Sequence, residues 1–192
     1  MKSAHANLRR GPFLIPIWLS AIGAFAVFIV ALLSIWAIWV WFTANSTTVI
    51  VIRHAEKAAV GEPDPPLSDA GEARAALLAR MLGETHGPGR LDAIYISPAL
   101  RSRMTAAPLA ARLGITPIVV PADDPQGLVH RVLRENSGKR VMLIGHVNTV
   151  PDMVAALSGR SDIARLDEKE FGTMYVVTVP RIGHANLLRV SY

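Results

Sequence analysis

The chain has 192 residues, of which 51% are hydrophobic and 18% charged, a composition that excludes a disordered protein. It has no cysteine, which excludes disulfide scaffolds, thiolate metal sites and cysteine nucleophiles. The net charge is +5, but Lys2, Arg9 and Arg10 precede the first apolar run and the remainder is nearly balanced. The sequence shows no basic stripe interleaved with aromatic residues, so we predict that the protein does not bind nucleic acid.

The chain opens with a long apolar segment. Residues 13–42 are almost continuously apolar, and no charged residue occurs from position 11 to position 52. About 20 such residues cross a bilayer, so we predict a cytoplasmic basic tail over 1–12 and a transmembrane anchor over 13–42. The positive-inside rule then predicts a single-pass inner (cytoplasmic) membrane protein whose residues 43–192 are periplasmic or extracellular. The alternative is a cleaved signal peptide, whose apolar region is typically about 7–15 residues long.

Residues 43–192 alternate between strand and helix patterns. Predicted strands lie at 47–52, 91–96, 118–120, 140–144, 173–179 and 185–190, and predicted helices at 69–83, 99–113, 125–135 and 150–157. Strands that alternate with helices indicate a mostly parallel sheet covered on both faces. We therefore predict a three-layer α/β/α domain whose two closing strands, with no helix between them, are antiparallel.

Arginine and histidine residues follow three of the predicted strands. Arg53 and His54 end the first strand, Arg101 follows the second, and His146 follows the fourth. We expect them to lie together, because ligands of open α/β sheets bind beyond the carboxyl ends of the strands. Two guanidinium groups can hold a phosphoryl group by bidentate hydrogen bonds. A neutral imidazole beside them can attack phosphorus, and a second one can donate a hydrogen bond to the phosphoryl oxygens.

Four motifs carry a family resemblance. They are VIVIRHAEK at 49–57, PPLSDAGEARA at 65–75, YISPALRSRMTA at 95–106 and GHVNTVPDMVAALSG at 145–159. In this order they resemble the histidine phosphatase superfamily, whose fold is phosphoglycerate-mutase-like. The resemblance implies that His54 is the nucleophile that becomes a phosphohistidine. It also implies that Arg53, Arg101 and His146 form the phosphate pocket, and it implies no metal or organic cofactor.

The general acid has several candidates in the sequence. Asp123 and Asp124 follow the third predicted strand, about where the mutase branch of the family carries its acid. The other interpretation is that one of them is the N-cap of the helix predicted from 125. Glu56 is a further candidate, or else a residue that orients Arg53. Asn148 either caps the helix after His146 or contacts the substrate phosphate.

These residues predict a hydrolase for phosphomonoesters. Residues 43–192 are close to a minimal domain of this kind, whereas a mutase needs large insertions to enclose its substrate. We therefore expect hydrolysis in two steps through phospho-His54, on a phosphorylated substrate of unknown identity. The alternative is an inactive module of the same fold that binds or scaffolds a phosphorylated ligand.

Overall fold

The computed structural model describes residues 17–44, 46–59, 61, 63–84 and 87–192. The chain divides into two compact units, Met1–Trp41 and Phe42–Tyr192. The helices are α1 (Ile17–Ala44), α2 (Asp69–Gly83), α3 (Leu100–Leu113), α4 (Pro125–Glu135) and α5 (Thr149–Ser158), with a 3-10 turn at Gly87–Gly89. The strands are β1 (Thr47–Arg53), β2 (Ala93–Ile96), β3 (Ile118–Val119), β4 (Arg140–Gly145), β5 (Thr173–Val179) and β6 (Asn186–Ser191).

Helix α1 is long and apolar enough to cross a membrane. Its window Ile22–Trp41 has a mean hydropathy of 2.4, and none of it is buried inside the protein. Signal sequences near an N-terminus can pass the same test of length and composition. The predicted tail 1–12 and the first four residues of the predicted span 13–42 lie outside the described residues. The helix continues two residues beyond that span, to Ala44.

The second unit is built on a six-stranded sheet of order β3-β2-β4-β1-β5-β6. The strands β3, β2, β4 and β1 are parallel to one another, while β5 is antiparallel to β1 and β6 is antiparallel to β5. The predicted mixed α/β sheet with an antiparallel closing pair is therefore confirmed. The predicted elements are all present, and their ends coincide with the prediction or differ from it by one or two residues.

Helices cover both faces of this sheet because successive side chains of a strand point to opposite faces. On β1, Val51 packs into a core with residues of α4 and α5 such as Val132 and Val154. Its neighbour Ile52 packs into a second core with residues of α2 and α3 such as Leu78 and Leu109. The β-branched run of β1 is thus buried on both sides, as expected for a central strand.

The start of α2 holds the loop that follows β1. The Ser68 hydroxyl accepts a hydrogen bond from the Gly71 amide at 3.2 Å and so forms the predicted N-cap. The Ser68 amide donates to the Glu56 carbonyl at 2.9 Å. A side chain at Gly71 would collide with that same carbonyl, so glycine allows the helix to approach the loop this closely.

Candidate functional site

The predicted site residues meet at the carboxyl edge of the parallel strands. Because β2, β4 and β1 are neighbours, the residues after their last positions share one edge. An open cavity of about 450 Å³ lies there. Its lining residues are Arg53, His54, Lys57, Arg101, His146, Val147, Asn148, Glu168 and Phe171. We call this cavity the phosphate pocket.

His54 is held in one orientation by bonds at both ring nitrogens. Its Nδ1 lies 2.8 Å from the carbonyl oxygen of Ala55, and its Nε2 accepts a hydrogen bond from Arg101 Nε at 3.2 Å. Since an arginine nitrogen can only donate, Nε2 carries the lone pair and Nδ1 carries the proton. The nitrogen with the lone pair is therefore the one beside Arg101 in the phosphate pocket.

The two histidines of the pocket are kept uncharged. Burial lowers the pKa of His54 to about 4, with further lowering by the nearby His146, Arg101 and Arg53. Burial also lowers the pKa of His146, again with help from Arg101 and Arg53. Their ring centroids are 5.2 Å apart. Near neutral pH, His54 therefore has the electron pair that a nucleophile needs.

Arg53 is clamped by a turn from the C-terminal part of the chain. Its Nη1 donates to the main-chain carbonyls of Asp167, Glu168 and Glu170 at 3.1, 2.8 and 3.1 Å. The ring of Phe171 stacks on the guanidinium, 3.9 Å from its central carbon. We call residues 167–171 the clamp turn. Arg53 is only 7% exposed, and its Nε is buried without a hydrogen-bond partner in the described part of the chain.

The clamp turn reaches Arg53 because of the strand register. In the antiparallel pair of β1 and β5, Ile52 lies opposite Met174. The residues just before β5 therefore lie beside the end of β1. Burial lowers the pKa of Arg53, but a guanidinium still keeps its charge, so one buried cation faces the phosphate pocket.

Arg101 stands in the first turn of α3 and is held more loosely. Besides its bond to His54, its Nη1 lies 3.4 Å from a carboxylate oxygen of Asp64. Asp64 also accepts the Leu100 amide at 2.9 and 3.1 Å, so it supplies the cap that the side chain of Ala99 does not provide. Arg101 is 22% exposed and Asp64 is 52% exposed.

His146 is oriented by hydroxyl groups. Its Nε2 lies 2.9 Å from the hydroxyl of Ser97, which is 2.7 Å from the hydroxyl of Ser102. The His146 amide donates to the hydroxyl of Thr149 at 2.9 Å. Asn148 makes no side-chain cap to α5 although it occupies the cap position, and its exposed side chain lines the phosphate pocket. The capping interpretation of Asn148 is therefore wrong, and a phosphate contact stays a prediction.

The three predicted general acids lie away from the phosphate pocket. Glu56 accepts three hydrogen bonds from Arg74 at 2.6 to 3.0 Å, so it pairs with Arg74 and makes no hydrogen bond to Arg53. These bonds lower the pKa of Glu56, which keeps it ionised. Asp124 accepts the Gly127 amide at 2.8 Å and caps α4, as the structural interpretation predicts. Asp123 is exposed in the loop after the edge strand β3, and none of the three lines the pocket.

Local sequence patterns do not identify several residues of the site. Glu168 and Phe171 lie in a stretch without a helix or strand pattern, and Asp64 lies in a loop rich in proline and glycine. The acidic residues around Asp167 are the one sequence feature that marks the stretch of Glu168 and Phe171. Such runs of charged residues usually lie on the solvated surface, so they do not indicate a site. Lys57 follows the RHAE motif directly and adds a third cation to the pocket.

The site is suited to a tetrahedral oxyanion beside a neutral imidazole. Two guanidinium groups and Lys57 supply positive charge, and the N-terminus of α3 adds its dipole. Among the described residues, no cluster of acidic or histidine side chains could hold a metal ion. The sheet order and this site define an α/β domain of the phosphoglycerate-mutase-like type.

Comparisons with known proteins agree with this class. Residues 49–123, from β1 to the loop after β3, match the family model of the histidine phosphatase superfamily (branch 1). Over this stretch, which is less than half of its length, the chain is similar to the histidine phosphatase superfamily. No curated protein sequence matches it.

Solved structures of low sequence identity share the fold. The protein histidine phosphatase SixA complexed with tungstate is 22% identical with a TM-score of 0.61, over 75% of this chain and 96% of that one. The putative phosphohistidine phosphatase SixA from Nakamurella multipartitia is 22% identical with a TM-score of 0.56, over 77% and 97%. A mycobacterial glucosyl-3-phosphoglycerate phosphatase is 15% identical with a TM-score of 0.60, over 74% and 97%. At these identities the likeness bears on the fold.

Proposed function

We propose that the protein is a membrane-anchored, exported phosphatase that hydrolyses phosphomonoesters through phospho-His54. The observation that carries the proposal is the orientation and protonation of the His54 ring. Its Nδ1 is bonded to the Ala55 carbonyl, and its Nε2 lone pair lies beside Arg101 in the phosphate pocket. The match to the histidine phosphatase family model supports phosphatase activity, although the superfamily also includes mutases.

In the first step, the substrate phosphoryl group replaces His54 as the partner of Arg101. Arg53, Arg101 and His146 surround its non-bridging oxygens, where they stabilise the charge of the transition state. Nε2 of His54 forms a bond to phosphorus while the bond from phosphorus to the leaving oxygen breaks. The leaving oxygen takes up a proton and departs as an alcohol.

In the second step, water hydrolyses the phosphohistidine. The water oxygen attacks phosphorus and loses a proton, the bond between phosphorus and Nε2 breaks, and inorganic phosphate leaves. The bond of Nδ1 to the Ala55 carbonyl persists through both steps, so His54 returns to the tautomer in which it began.

The test is replacement of the nucleophile. His54→Ala should abolish hydrolysis of p-nitrophenyl phosphate, and rapid quench of the wild type with a labelled substrate should trap an acid-labile, base-stable phosphoenzyme. His184→Ala is the matched control, because that histidine is exposed in the turn between β5 and β6. Undiminished turnover by His54→Ala would refute the assignment. A folded wild type that binds phosphate without turnover would support an inactive binding module.

The location is part of the proposal, and it rests on the length and apolar composition of the window Ile22–Trp41 in α1. An alkaline phosphatase fused after Tyr192 should be active, and a reporter that works only in the cytoplasm should be silent there. The protein should resist carbonate extraction at its full mass. A soluble form that begins near Asn45 would show that the segment is a cleaved signal peptide.

A second candidate substrate is a phosphorylated histidine in a protein. It is favoured because Glu56, Asp123 and Asp124 do not line the phosphate pocket, since a phosphoramidate has less need of an enzymatic proton donor. Two of the similar structures bear the name SixA, one as a protein histidine phosphatase and one as a putative phosphohistidine phosphatase. Turnover of phosphohistidine in the complete absence of alkyl ester hydrolysis would favour this substrate.

A further inference from the structure

A second hollow adjoins the phosphate pocket. We call it the trough; it has a volume of about 360 Å³ and is lined by Val147, Asn148, Pro151, Asp152, Arg165, Leu166 and Glu168. Three of these residues, Val147, Asn148 and Glu168, also line the phosphate pocket. The two hollows therefore adjoin each other, and a phosphoryl group held in the pocket has the trough beside it as a place for its leaving group.

Glu168 stands where the two hollows meet. Its main-chain carbonyl accepts a hydrogen bond from Arg53 at 2.8 Å, which fixes its backbone at the edge of the phosphate pocket. Its side chain is exposed, and its carboxylate makes no hydrogen bond within the described part of the chain. Of the charged neighbours of Arg53, Glu168 has the largest electrostatic effect on it, so this carboxylate lies near the phosphate site.

Three other nearby carboxylates are already engaged, and Asp152 lines the trough but not the phosphate pocket. Glu56 is paired with Arg74, Asp124 caps α4, and Asp64 holds the Leu100 amide together with Arg101. Among the described residues that line the phosphate pocket, Glu168 is the one with a carboxylate. It therefore has both the position and the freedom that a proton donor requires.

We propose that Glu168 is the general acid of the phosphatase reaction and protonates the leaving oxygen from the trough side. The proposal rests on the proposed function. When the dianionic phosphoryl group binds, it offsets the charges of Arg53 and Arg101. As the bond between phosphorus and the leaving oxygen breaks, the Glu168 proton passes to that oxygen. In the second step the carboxylate accepts a proton from the attacking water, so the acid is regenerated.

The experiment is a leaving-group series on the full-length protein. Glu168→Gln keeps the size of the side chain and removes the proton. It should lower kcat/KM for an alkyl phosphate by roughly 10²–10⁴-fold and leave kcat/KM for p-nitrophenyl phosphate nearly unchanged. The reason is that an alkoxide leaves as a strong base, whereas nitrophenolate leaves without a proton. The dependence of log kcat/KM on leaving-group pKa should become steeper.

Asp162→Asn is the matched control. Asp162 is an exposed carboxylate in the same connection between α5 and β5, it pairs with Arg160, and it lines neither hollow. Equal losses on both ester types in Glu168→Gln would overturn the proposal, because they would mean that Glu168 only supports the clamp turn. Turnover of aryl phosphates and phosphohistidine with no alkyl ester hydrolysis by the wild type would also overturn it, while leaving the phosphatase function intact. A wild type inactive on every one of these substrates would refute the phosphatase function itself.

Discussion

The two arginines of the phosphate pocket are held in opposite ways. Arg53 is buried, with Nη1 bonded to three carbonyls of the clamp turn and its plane stacked on Phe171. Arg101 is partly exposed, and its partners are Asp64 at 3.4 Å and His54 at 3.2 Å. Arg53 is thus fixed by the packing and hydrogen bonds of the domain, whereas Arg101 has partners that a ligand can replace. We call these the Arg53 half and the Arg101 half of the phosphate pocket. A bound phosphoryl group can take the place of His54 at Arg101 without disturbing the packing of the domain.

The largest effect should follow from Arg53→Lys. An ammonium group cannot bond three carbonyls and also present a planar fork to the substrate. We expect kcat/KM to fall by roughly 10²–10³-fold, the range found when one transition-state donor is removed. The lost bonds to a charged group should also lower the free energy of unfolding by about 2 kcal/mol. Urea unfolding and steady-state kinetics on the same preparation check both effects, and an unchanged stability would show that the clamp turn does not need Arg53.

Arg101→Lys should reduce activity alone. The lysine keeps the charge but loses the bidentate geometry, so kcat/KM should fall by roughly 10²-fold. Stability should stay at the wild-type value, because salt bridges exposed to this degree contribute little. If thermal unfolding shows that Arg101→Lys loses as much stability as Arg53→Lys, then Arg101 is held by the fold as firmly as Arg53 and the comparison is wrong.

His54 lies between Arg53 and Arg101, and its pKa should be far below that of an ordinary histidine. Burial, with His146, Arg101 and Arg53, holds its pKa at about 4. In the unfolded chain the imidazole binds a proton near its ordinary value of about 6.5. The folded state should therefore lose stability as the pH falls from about 6.5 to about 4, with no further change from this group above that window. NMR titration of the ring protons, with His54→Ala for assignment, measures the value, and a pKa near 6.5 would contradict the argument.

The smallest effect should follow from Phe171→Leu. Leucine keeps an apolar side chain against Arg53 but removes the aromatic face, which is worth about 1 kcal/mol in such a contact. We expect the affinity for inorganic phosphate or vanadate to drop by a few-fold, with rescue by Phe171→Tyr. An effect confined to kcat would mean that Phe171 acts on the chemical step instead of on Arg53.

The sequence predicts the fold well because its signals are local. The β-branched run of β1, the Ser68 cap of α2 and the Gly114 end of α3 each identify an element within a few residues. The residues of the phosphate pocket are predictable for a related reason. Arg53 is the last residue of β1 and His54 follows it directly, so topology alone brings them to the edge of the sheet.

The remaining part of the site depends on contacts that no local pattern reveals. Glu168 and Phe171 come to Arg53 through strand pairing, and nothing in their own stretch marks it as part of a site. Asp124 shows a second reason why a site residue is hard to predict from sequence. A carboxylate directly before a helix can be either its N-cap or a general acid, and the sequence pattern is the same in both cases. In the structure, Asp124 accepts a hydrogen bond from the Gly127 amide, so it is the N-cap of α4.

The clamp turn also has a consequence for the order of folding. Arg53 and its three carbonyl partners are separated by 114, 115 and 117 residues along the chain. Contacts of such long range form late, since closing a large loop costs entropy before any contact repays it. Helices α2 to α5 can assemble on the parallel strands while Arg53 still has no acceptors. During refolding, the ability to bind an oxyanion such as tungstate should therefore return after the helical circular dichroism signal, when β5 pairs with β1.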